Sequence, residues 1–388
     1  MSGGKLPLTR PSFDREERRE IDLVLSSSWV TQGPETARFE ALVAARQGVP
    51  HAIAMNSCTS ALHLSMLALG IGPGDEVVVP AFTWVTSAYS AEYVGARAVF
   101  ADVRKETFNL DPEAFEAAIG PATAAVVVVH LFGQSAEMEA LLTIARKYGL
   151  RVVEDAACAI GSSHADVPVG GMGDTGCFSF HPRKIVTTGE GGVVTTRSSE
   201  LARRIRSLGN HGMRGTPGPP AKTARPYEMG EWEELGFNLR MSDLQAALGV
   251  VQMKKLDALL EERLRCARRY DAMLAEVPGL QAPEVAPNCG HTYQSYVIRV
   301  LDGARTRRNE IMEFLAAEGI QTRPGTHAVP RLAYFARRGI RPEAFPAACD
   351  AEDRSITLPL FPGMTEADQE RVIGALVRAM ESSGAGRG

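Results

Sequence analysis

The sequence predicts an α/β fold in which helices cover a mostly parallel sheet. From about residue 50, short apolar runs rich in β-branched residues alternate with helical patterns, as in domains that combine a parallel sheet with crossover helices. Residues 126–129 are all valine, which suits a strand buried on both faces. A chain of 388 residues, 45% of them hydrophobic, exceeds what a single core usually holds. We therefore expect a large domain and a smaller one.

The candidate strands of the large sheet lie at residues 52–55, 76–80, 98–101, 125–130, 151–154, 177–180 and 192–196. A long helix is predicted to begin at Ser242, because Ser242 and Gln245 form a capping-box pattern ahead of an apolar stretch. Beyond it, a strand at 296–300 and helices at 309–318 and 366–380 indicate a smaller α+β domain. We place the large domain at residues 1–255 and the small domain at residues 256–388.

Charge and cysteine usage exclude several classes of partner. The 46 acidic and 42 basic residues give a net charge of -4, so the chain lacks the broad positive surface that nucleic acids or anionic membranes require. The six cysteines are far apart and form no C-x-x-C pair, which argues against a zinc site and against a disulfide framework. No apolar run approaches the roughly 18 residues of a membrane span. We expect a cytoplasmic protein without a bound metal.

The most informative segment contains S-F-H-P-R-K at residues 179–184 and T-T-G-E-G-G at residues 187–192. A lysine that bonds to an aldehyde must lose its proton although its ordinary pKa is about 10.4, so Lys184 would need a sheltered pocket tuned by nearby cations. The glycines that follow would let the backbone approach a ligand closely. An exposed lysine in a β-hairpin is the alternative.

Three further features suit a ligand with a ring and a phosphate. Asp155 follows the apolar strand at 151–154, where ligands of open α/β sheets bind, although it could equally cap a helix. The segment N-S-C-T-S at residues 56–60 lies between a strand and a helix, where hydroxyls and free N–H groups bind phosphate. An ordinary helix N-cap is the alternative there. Trp84 follows a strand and could stack on a flat ring or pack in the core.

These segments, in this order, resemble the DegT-type sugar aminotransferases, a family of fold-type-I enzymes that use pyridoxal 5'-phosphate (PLP). The resemblance runs from W-V-T-Q-G at residues 29–33 to L-P-L-F-P-G at residues 358–363, and S-F-H-P-x-K is its most specific part. It implies a seven-stranded sheet in the large domain. It also implies that Lys184 bonds covalently to the cofactor, that Asp155 holds the pyridine nitrogen and that Trp84 stacks on the ring. Three hydroxyls would bind the cofactor phosphate: Thr59, Ser60 and Ser179.

The resemblance also implies a homodimer with shared active sites. In the family, the partner subunit reaches the phosphate with the asparagine of a G-[YF]-N-x-R-M segment, and G-F-N-L-R-M at residues 236–241 nominates Asn238. A turn asparagine ahead of the helix is the alternative. The family usually has Gln or His three residues after the aspartate, where this chain has Cys158. Cys158 is thus a further candidate contact to the cofactor, although a thiol is a weak hydrogen-bond partner.

The activity that the resemblance implies is amino transfer from L-glutamate to a nucleotide-linked keto sugar. Family members with T-T-G-E-G-G commonly aminate C-4 of 4-keto-6-deoxy sugar nucleotides. Candidate substrate contacts are Arg240, Arg323 and His327, although His327 could be a solvated loop residue. The Pro- and Gly-rich stretch 214–235 is expected to form a long exposed loop.

Other activities remain open at this point. They are amination of a cyclitol, amination of a C-3 ketone, and a PLP-binding regulator without turnover. A regulator would need an appended DNA-binding module, and no basic helix-turn-helix precedes residue 50. Dehydration at C-3 is disfavoured, because relatives that catalyse it replace the lysine by histidine and Lys184 is present.

Overall fold

The computed structural model describes residues 4–214, 227, 230–304 and 306–382. Its helices, numbered in chain order, are α1 Arg15–Ser27, α2 Pro34–Gln47, α3 Cys58–Ala68, α4 Val85–Tyr93, α5 Pro112–Ala117, α6 Met138–Tyr148, α7 Ser199–Gly209, α8 Asp243–Leu274, α9 Arg308–Ala317, α10 Ala333–Ala336, α11 Pro346–Arg354 and α12 Glu366–Ser382. Helices α1 and α2 were not predicted, although Asp14 and Glu17 form a capping box at the start of α1 and Pro34 begins α2.

The strands, also in chain order, are β1 His51–Met55, β2 Glu76–Pro80, β3 Phe82–Thr83, β4 Arg97–Ala101, β5 Thr123–Val129, β6 Arg151–Asp155, β7 Ser163–His164, β8 Val167–Pro168, β9 Thr175–Ser179, β10 Gly192–Thr196, β11 Leu280–Gln281, β12 Tyr296–Val300, β13 His327–Ala328 and β14 Ser355–Leu358. Within the described residues, the large sheet has seven strands in the order β1-β10-β9-β6-β5-β2-β4. Strand β10 runs antiparallel to both neighbours, and all other neighbours are parallel. The predicted fold is confirmed, and each predicted strand of this sheet ends within two residues of its observed limits.

Helices cover both faces of the large sheet, which explains why its central strands are apolar throughout. Side chains alternate between the two faces along a strand. Val77 and Val79 of β2 pack in a cluster with residues of α3 and α4, whereas Val78 packs with residues of α5 and α6. Helix α2 and the first half of α8 pack over β1, β9 and β10. The sheet is therefore the middle of three layers.

Polar segments of the chain meet at one edge of this sheet. The parallel strands all end there, so that Ser57 follows β1, Trp84 follows β2 and β3, His130 follows β5, and Asp155 ends β6. Because β10 is antiparallel, its first residue, Gly192, lies at the same edge. Ligands of open α/β sheets bind beyond the carboxyl ends of the strands. The topology therefore places a candidate site here.

A second core lies in the small domain, where β11, β12 and β14 form an antiparallel sheet packed against α9 and α12. The predicted start of α8 is confirmed, since Ser242 is its N-cap and forms a capping box with Gln245. Helix α8 contributes Leu260 to a cluster of the large domain and Cys266 to that of the small domain. The domain boundary after residue 255 stays a prediction, and α8 continues through it to Leu274.

Two further observations concern only the described ranges. No helix in them is long and apolar enough to cross a membrane, and they hold no cluster of three His, Cys, Asp or Glu side chains arranged for a metal ion. The loop predicted at 214–235 lies mostly outside the described residues. In its described part, Trp232 and Leu235 are exposed.

Candidate active site

A cavity of about 480 Å³ opens at the carboxyl edge of the large sheet, a size typical of small-molecule sites. Its wall combines the ends of several parallel strands, the β9–β10 connection and the small domain. The sequence-predicted residues that line it are Thr59, Trp84, Asp155, Cys158, Ser179, Lys184 and Arg323. The remaining predicted residues lie outside its lining: Ser60, Asn238, Arg240 and His327.

Lys184 lies in the turn between β9 and β10. Its N–H donates to the His181 carbonyl at 2.8 Å, and the Thr187 hydroxyl donates to the Phe180 carbonyl at 2.8 Å. The Lys184 Nζ lies on the cavity wall and donates to the Cys158 Sγ at 3.0 Å. The alternative of an exposed lysine in a β-hairpin is therefore correct for the backbone, which forms a hairpin. It is wrong for the amine, which is sheltered in the cavity.

The groups around Lys184 differ from those expected. Burial acts to lower the pKa of Lys184, but the thiols of Cys158 and Cys58 and the carboxylate of Asp155 outweigh it, so the pKa lies above its ordinary value of 10.5. The expectation that cations lower this pKa is therefore wrong for the protein alone, because the neighbours that shift it are acidic. The amine carries a proton at neutral pH and must lose it before it can attack an aldehyde.

The glycines of T-T-G-E-G-G let the β9–β10 turn approach the start of α3. Gly189 has a φ of 83°, which residues with a Cβ rarely adopt. A Cβ on Gly192 would lie 2.3 Å from the Ser57 carbonyl carbon, and one on Gly191 would lie 2.1 Å from the Thr188 hydroxyl. Gly192 therefore requires glycine, because its clash is with backbone atoms, whereas the nearest atoms at Gly191 belong to the side chains of Thr188 and Met241. The close approach of Gly192 to Ser57 places the lysine turn beside the N-terminus of α3.

Strand β6 ends in two carboxylates that point to opposite faces of the sheet, as successive strand residues do. Asp155 lines the cavity and is 6% exposed. Its Oδ2 accepts a hydrogen bond from the Ser87 Oγ at 2.7 Å, and its Oδ1 accepts from the Ala157 N–H at 3.2 Å. Glu154 is fully buried on the other side. The helix-cap alternative for Asp155 is wrong, because β7 and not a helix is the next element.

The N-terminus of α3 forms one side of the cavity and suits an anion, because its N–H groups and helix dipole favour negative charge. Ser57 is the N-cap, and its Oγ accepts from the Ser60 N–H at 3.2 Å, so the N-cap alternative is also correct. The Ser60 hydroxyl donates to the Asn56 Oδ1 at 2.6 Å. Thr59 and Ser179 present their side chains to the cavity.

Trp84 stands at the cavity and is 53% exposed, so the core-packing alternative is wrong. The centroid of its indole lies 5.8 Å from that of the His327 imidazole. His327 belongs to strand β13 and not to a solvated loop, and its Nδ1 lies 3.5 Å from the Glu352 Oε1. The imidazole therefore neighbours Trp84, which lines the cavity, but does not itself line it.

Two guanidinium groups, those of Arg183 and Arg323, line the cavity. Within the described part of the chain, neither takes part in a salt bridge with a carboxylate. Burial and the charge of Arg183 lower the pKa of Arg323. Arg240 instead donates to the Asn210 Oδ1 at 2.6 Å, and the exposed Asn238 pairs through its backbone with Asn210.

Sequence reasoning missed some residues of the cavity wall. Thr83 and His130 line it and directly end or follow strands, so their place at a strand's carboxyl end was a usable signal. Leu8 and Thr9 also line it but carried no such signal. They reach the cavity because the N-terminal segment pairs with the small domain.

The cavity fits PLP, the cofactor that the resemblance implies. Lys184 would supply an amine for the aldehyde, and the buried carboxylate of Asp155 would face the ring nitrogen. The N-terminus of α3, with Thr59 and Ser179, supplies hydrogen-bond donors for the phosphate. All of these groups line the same cavity.

Comparisons with known proteins identify the family. The model of the DegT/DnrJ/EryC1/StrS aminotransferase family matches residues 11–377. The chain is 40% identical over 380 residues to the spore coat polysaccharide biosynthesis protein SpsC of Bacillus subtilis, with 96% of each chain covered. It is 37% identical over 374 residues to the GDP-perosamine synthase of Caulobacter vibrioides, with 96% of this chain and 97% of the relative covered.

A solved structure agrees with these matches. The PLP form of Spr1654 from Streptococcus pneumoniae superposes with a TM-score of 0.90 at 27% identity, over 98% of this chain and 99% of the other. The predicted family, fold and cofactor are confirmed. The chain belongs to the DegT/DnrJ/EryC1/StrS aminotransferase family and is a PLP-dependent sugar aminotransferase.

Proposed function

We propose that the enzyme transfers an amino group from L-glutamate to C-4 of a nucleotide-linked 4-keto-6-deoxyhexose, in the cytoplasm and as a homodimer. The observation that carries the proposal is the single cavity lined by Lys184 and Asp155. The GDP-perosamine synthase relative supports a nucleotide-linked sugar as substrate.

Lys184 and Asp155 divide the work of proton transfer and charge stabilisation. PLP, when bound, supplies an electron sink for negative charge on the carbon that carries the amino group. With PLP held there, the Lys184 Nζ would act first as base and then as acid, moving the proton that leaves the α-carbon of glutamate. Asp155 holds the proton on the pyridine nitrogen. The same two residues serve the second half-reaction in reverse, so we expect ping-pong kinetics.

Arg183 and Arg323 support an anionic substrate. Both line the cavity, and no carboxylate of the described residues neutralises either of them. The forked donors of a guanidinium match phosphate and carboxylate oxygens. The pair therefore suits the diphosphate of a sugar nucleotide or the carboxylates of glutamate.

Asn238 supports the shared site of a homodimer. It is exposed and lies outside the cavity of its own chain, as a residue that serves a neighbouring subunit must. On this proposal the Asn238 side chain of each subunit donates to the cofactor phosphate held by the other.

A screen of keto-sugar nucleotides with L-glutamate tests the substrate. We expect 4-keto-6-deoxy sugar nucleotides to yield an amino sugar by mass spectrometry, with one 2-oxoglutarate per product. A clear preference for a C-3 ketone or a cyclitol would contradict the C-4 assignment. Absence of 2-oxoglutarate would contradict glutamate as donor.

A variant pair tests the assigned lysine. Lys184→Ala is expected to lose turnover together with the absorbance band of the lysine-bound cofactor. Lys254→Ala, which changes an exposed lysine on α8, should keep both. Full turnover in the Lys184 variant would rule out the assignment.

A further inference from the structure

A short chain of buried hydroxyl groups leads to Asp155. Ser87, on α4, is completely buried, and its Oγ lies 2.7 Å from the Asp155 Oδ2. The Thr83 Oγ1 lies 3.0 Å from the same Ser87 oxygen, and Thr83 is only 1% exposed. The three side chains thus connect the end of β3, the first turn of α4 and the end of β6.

The direction of these hydrogen bonds follows from the number of protons. An ionised carboxylate only accepts, and a hydroxyl has one proton to donate. Ser87 therefore donates to Asp155, and Thr83 donates to Ser87. The Ala157 N–H donates to the other Asp155 oxygen at 3.2 Å. Both oxygens thus have a fixed donor, which suits a carboxylate and sets the plane of the group.

Thr83, the hydroxyl farthest from Asp155 in this series, is also held in place by the backbone. Strand β3 pairs with β13, so that Thr83 lies opposite His327. The Ser90 hydroxyl, one turn further along α4, donates to the Ser87 carbonyl at 2.8 Å and does not reach Asp155. Ser90 is also completely buried. It offers a matched comparison, because its removal deletes a buried hydroxyl of the same helix and leaves the side-chain hydrogen bonds between Thr83, Ser87 and Asp155 in place.

We propose that Ser87, supported by Thr83, is a positioning residue that fixes the ionised Asp155 carboxylate in the orientation that binds the pyridine nitrogen of PLP. The proposal rests on Asp155 being the partner of that nitrogen. Charge-assisted hydrogen bonds are short, directional and stronger than neutral ones. A carboxylate that has lost its donor can rotate, and it then holds the ring proton less well.

The absorbance of the Lys184-bound cofactor reports this effect without any sugar substrate. A proton on the ring nitrogen withdraws electrons and lowers the proton affinity of the nitrogen that joins Lys184 to the cofactor. Weaker ring protonation therefore moves the pH midpoint of this band upwards. We expect Ser87→Ala to raise the midpoint by about half a unit to one unit. We also expect it to slow the single-turnover reaction with L-glutamate by about 10- to 100-fold.

The controls separate positioning from packing. Ser90→Ala should leave the midpoint unchanged and the glutamate rate within about twofold, and Ser87→Thr, which keeps the hydroxyl, should restore the wild-type midpoint. An unshifted midpoint in Ser87→Ala, or an equal shift in Ser90→Ala, overturns the proposal. Should Ser87→Ala fail to fold, Thr83→Val takes its place and should raise the pH midpoint by a smaller amount. An unshifted midpoint in Thr83→Val would then overturn the proposal.

A further variant distinguishes this proposal from the assignments on which it rests. Asp155→Asn should move the midpoint in the same direction and further than Ser87→Ala. An unshifted midpoint in Asp155→Asn would overturn the role of Asp155 at the ring, and with it the positioning role of Ser87. If the spectra behave as expected while no keto sugar is aminated, only the proposed sugar substrate is contradicted.

Discussion

Replacement of Glu154 by glutamine tests how the buried carboxylate beside the active site stabilises the fold. Its Oε1 accepts hydrogen bonds from the N–H groups of Met172 at 2.8 Å and Gly173 at 2.6 Å. Its Oε2 accepts from the Gly170 N–H at 2.7 Å and from the His130 Nε2 at 3.0 Å. The Ala136 N–H donates to the His130 Nδ1, so the ring proton is assigned to Nε2. One carboxylate therefore binds donors from two segments of the chain.

The magnitude follows from the number of donors. A glutamine amide has a single oxygen, so the NH₂ group must face two of these donors in either orientation. A hydrogen bond to a charged group contributes about 1.5–3 kcal/mol. The loss of two such bonds predicts that Glu154→Gln lowers the free energy of unfolding by about 3–6 kcal/mol.

Urea unfolding, followed by circular dichroism and fluorescence, measures this change. The matched control is Glu261→Gln, which alters an exposed glutamate on α8 and should change the free energy of unfolding by less than about 0.5 kcal/mol. A decrease below about 1 kcal/mol in Glu154→Gln would refute the reasoning, because it would mean that the four contacts are individually dispensable.

The pH dependence provides a second check of the same residue. Burial raises the pKa of Glu154, but the hydrogen bonds from His130 and from the amides of Gly173 and Gly170 outweigh it, so the pKa lies below its ordinary value of 4.5. A lowered carboxylate pKa stabilises the fold above pH 4.5 and ceases to do so as the pH falls through the folded-state pKa. The difference between wild type and Glu154→Gln should therefore shrink below pH 4.5.

Three further predictions concern the turn, the lysine environment and a buried histidine. Gly192→Ala should weaken PLP binding about tenfold or more, because the added Cβ pushes Ser57 away. Gly72→Ala is the control and should not weaken binding, since the nearest atom to its Cβ is 3.9 Å away. Equal affinities of the two variants, measured by absorbance titration, would contradict the argument that Gly192 must approach Ser57 closely. Cys158→Ala should lower the raised pKa of Lys184 and so speed PLP loading of the apoenzyme below pH 10.5. Cys349→Ala is the control and should leave the loading rate unchanged. A slower or unchanged rate in Cys158→Ala would contradict the role of this thiol in raising the Lys184 pKa. Burial lowers the pKa of His291 from 6.5 to about 3, so the unfolded chain gains a proton first and stability falls as the pH drops from 6.5 to 3. His291→Gln should flatten this decline in urea unfolding, and an unaltered slope would exclude the histidine as its source.

The large sheet was predictable because its strands are defined by local patterns. Buried parallel strands are continuous apolar runs in the sequence. Strands β2 and β5 begin and end close to the limits of such runs. Capping chemistry is equally local, which is why Ser242 marked the start of α8. By contrast, α1 carries many exposed charged residues, and neither α1 nor α2 was predicted, although Asp14 caps α1 and Pro34 begins α2.

The order of the strands was not predictable from such patterns. Neither the placement of β10 between β1 and β9 nor its antiparallel direction follows from periodicity. This placement is what brings Gly192 against Ser57. The motif T-T-G-E-G-G was visible as a string of letters, but the reason for its glycines became visible only in the packed turn.

The sequence by itself determined the fold class and the family, and it nominated Lys184 as the residue that bonds the cofactor, since each depends on residue types at fixed spacing along the chain. The tertiary structure decided which of two adjacent carboxylates faces the cavity, that acidic neighbours raise the pKa of Lys184, and that Ser87 donates a hydrogen bond to Asp155. These facts depend on distances between segments far apart in sequence, and such distances are set by how the strands and helices pack.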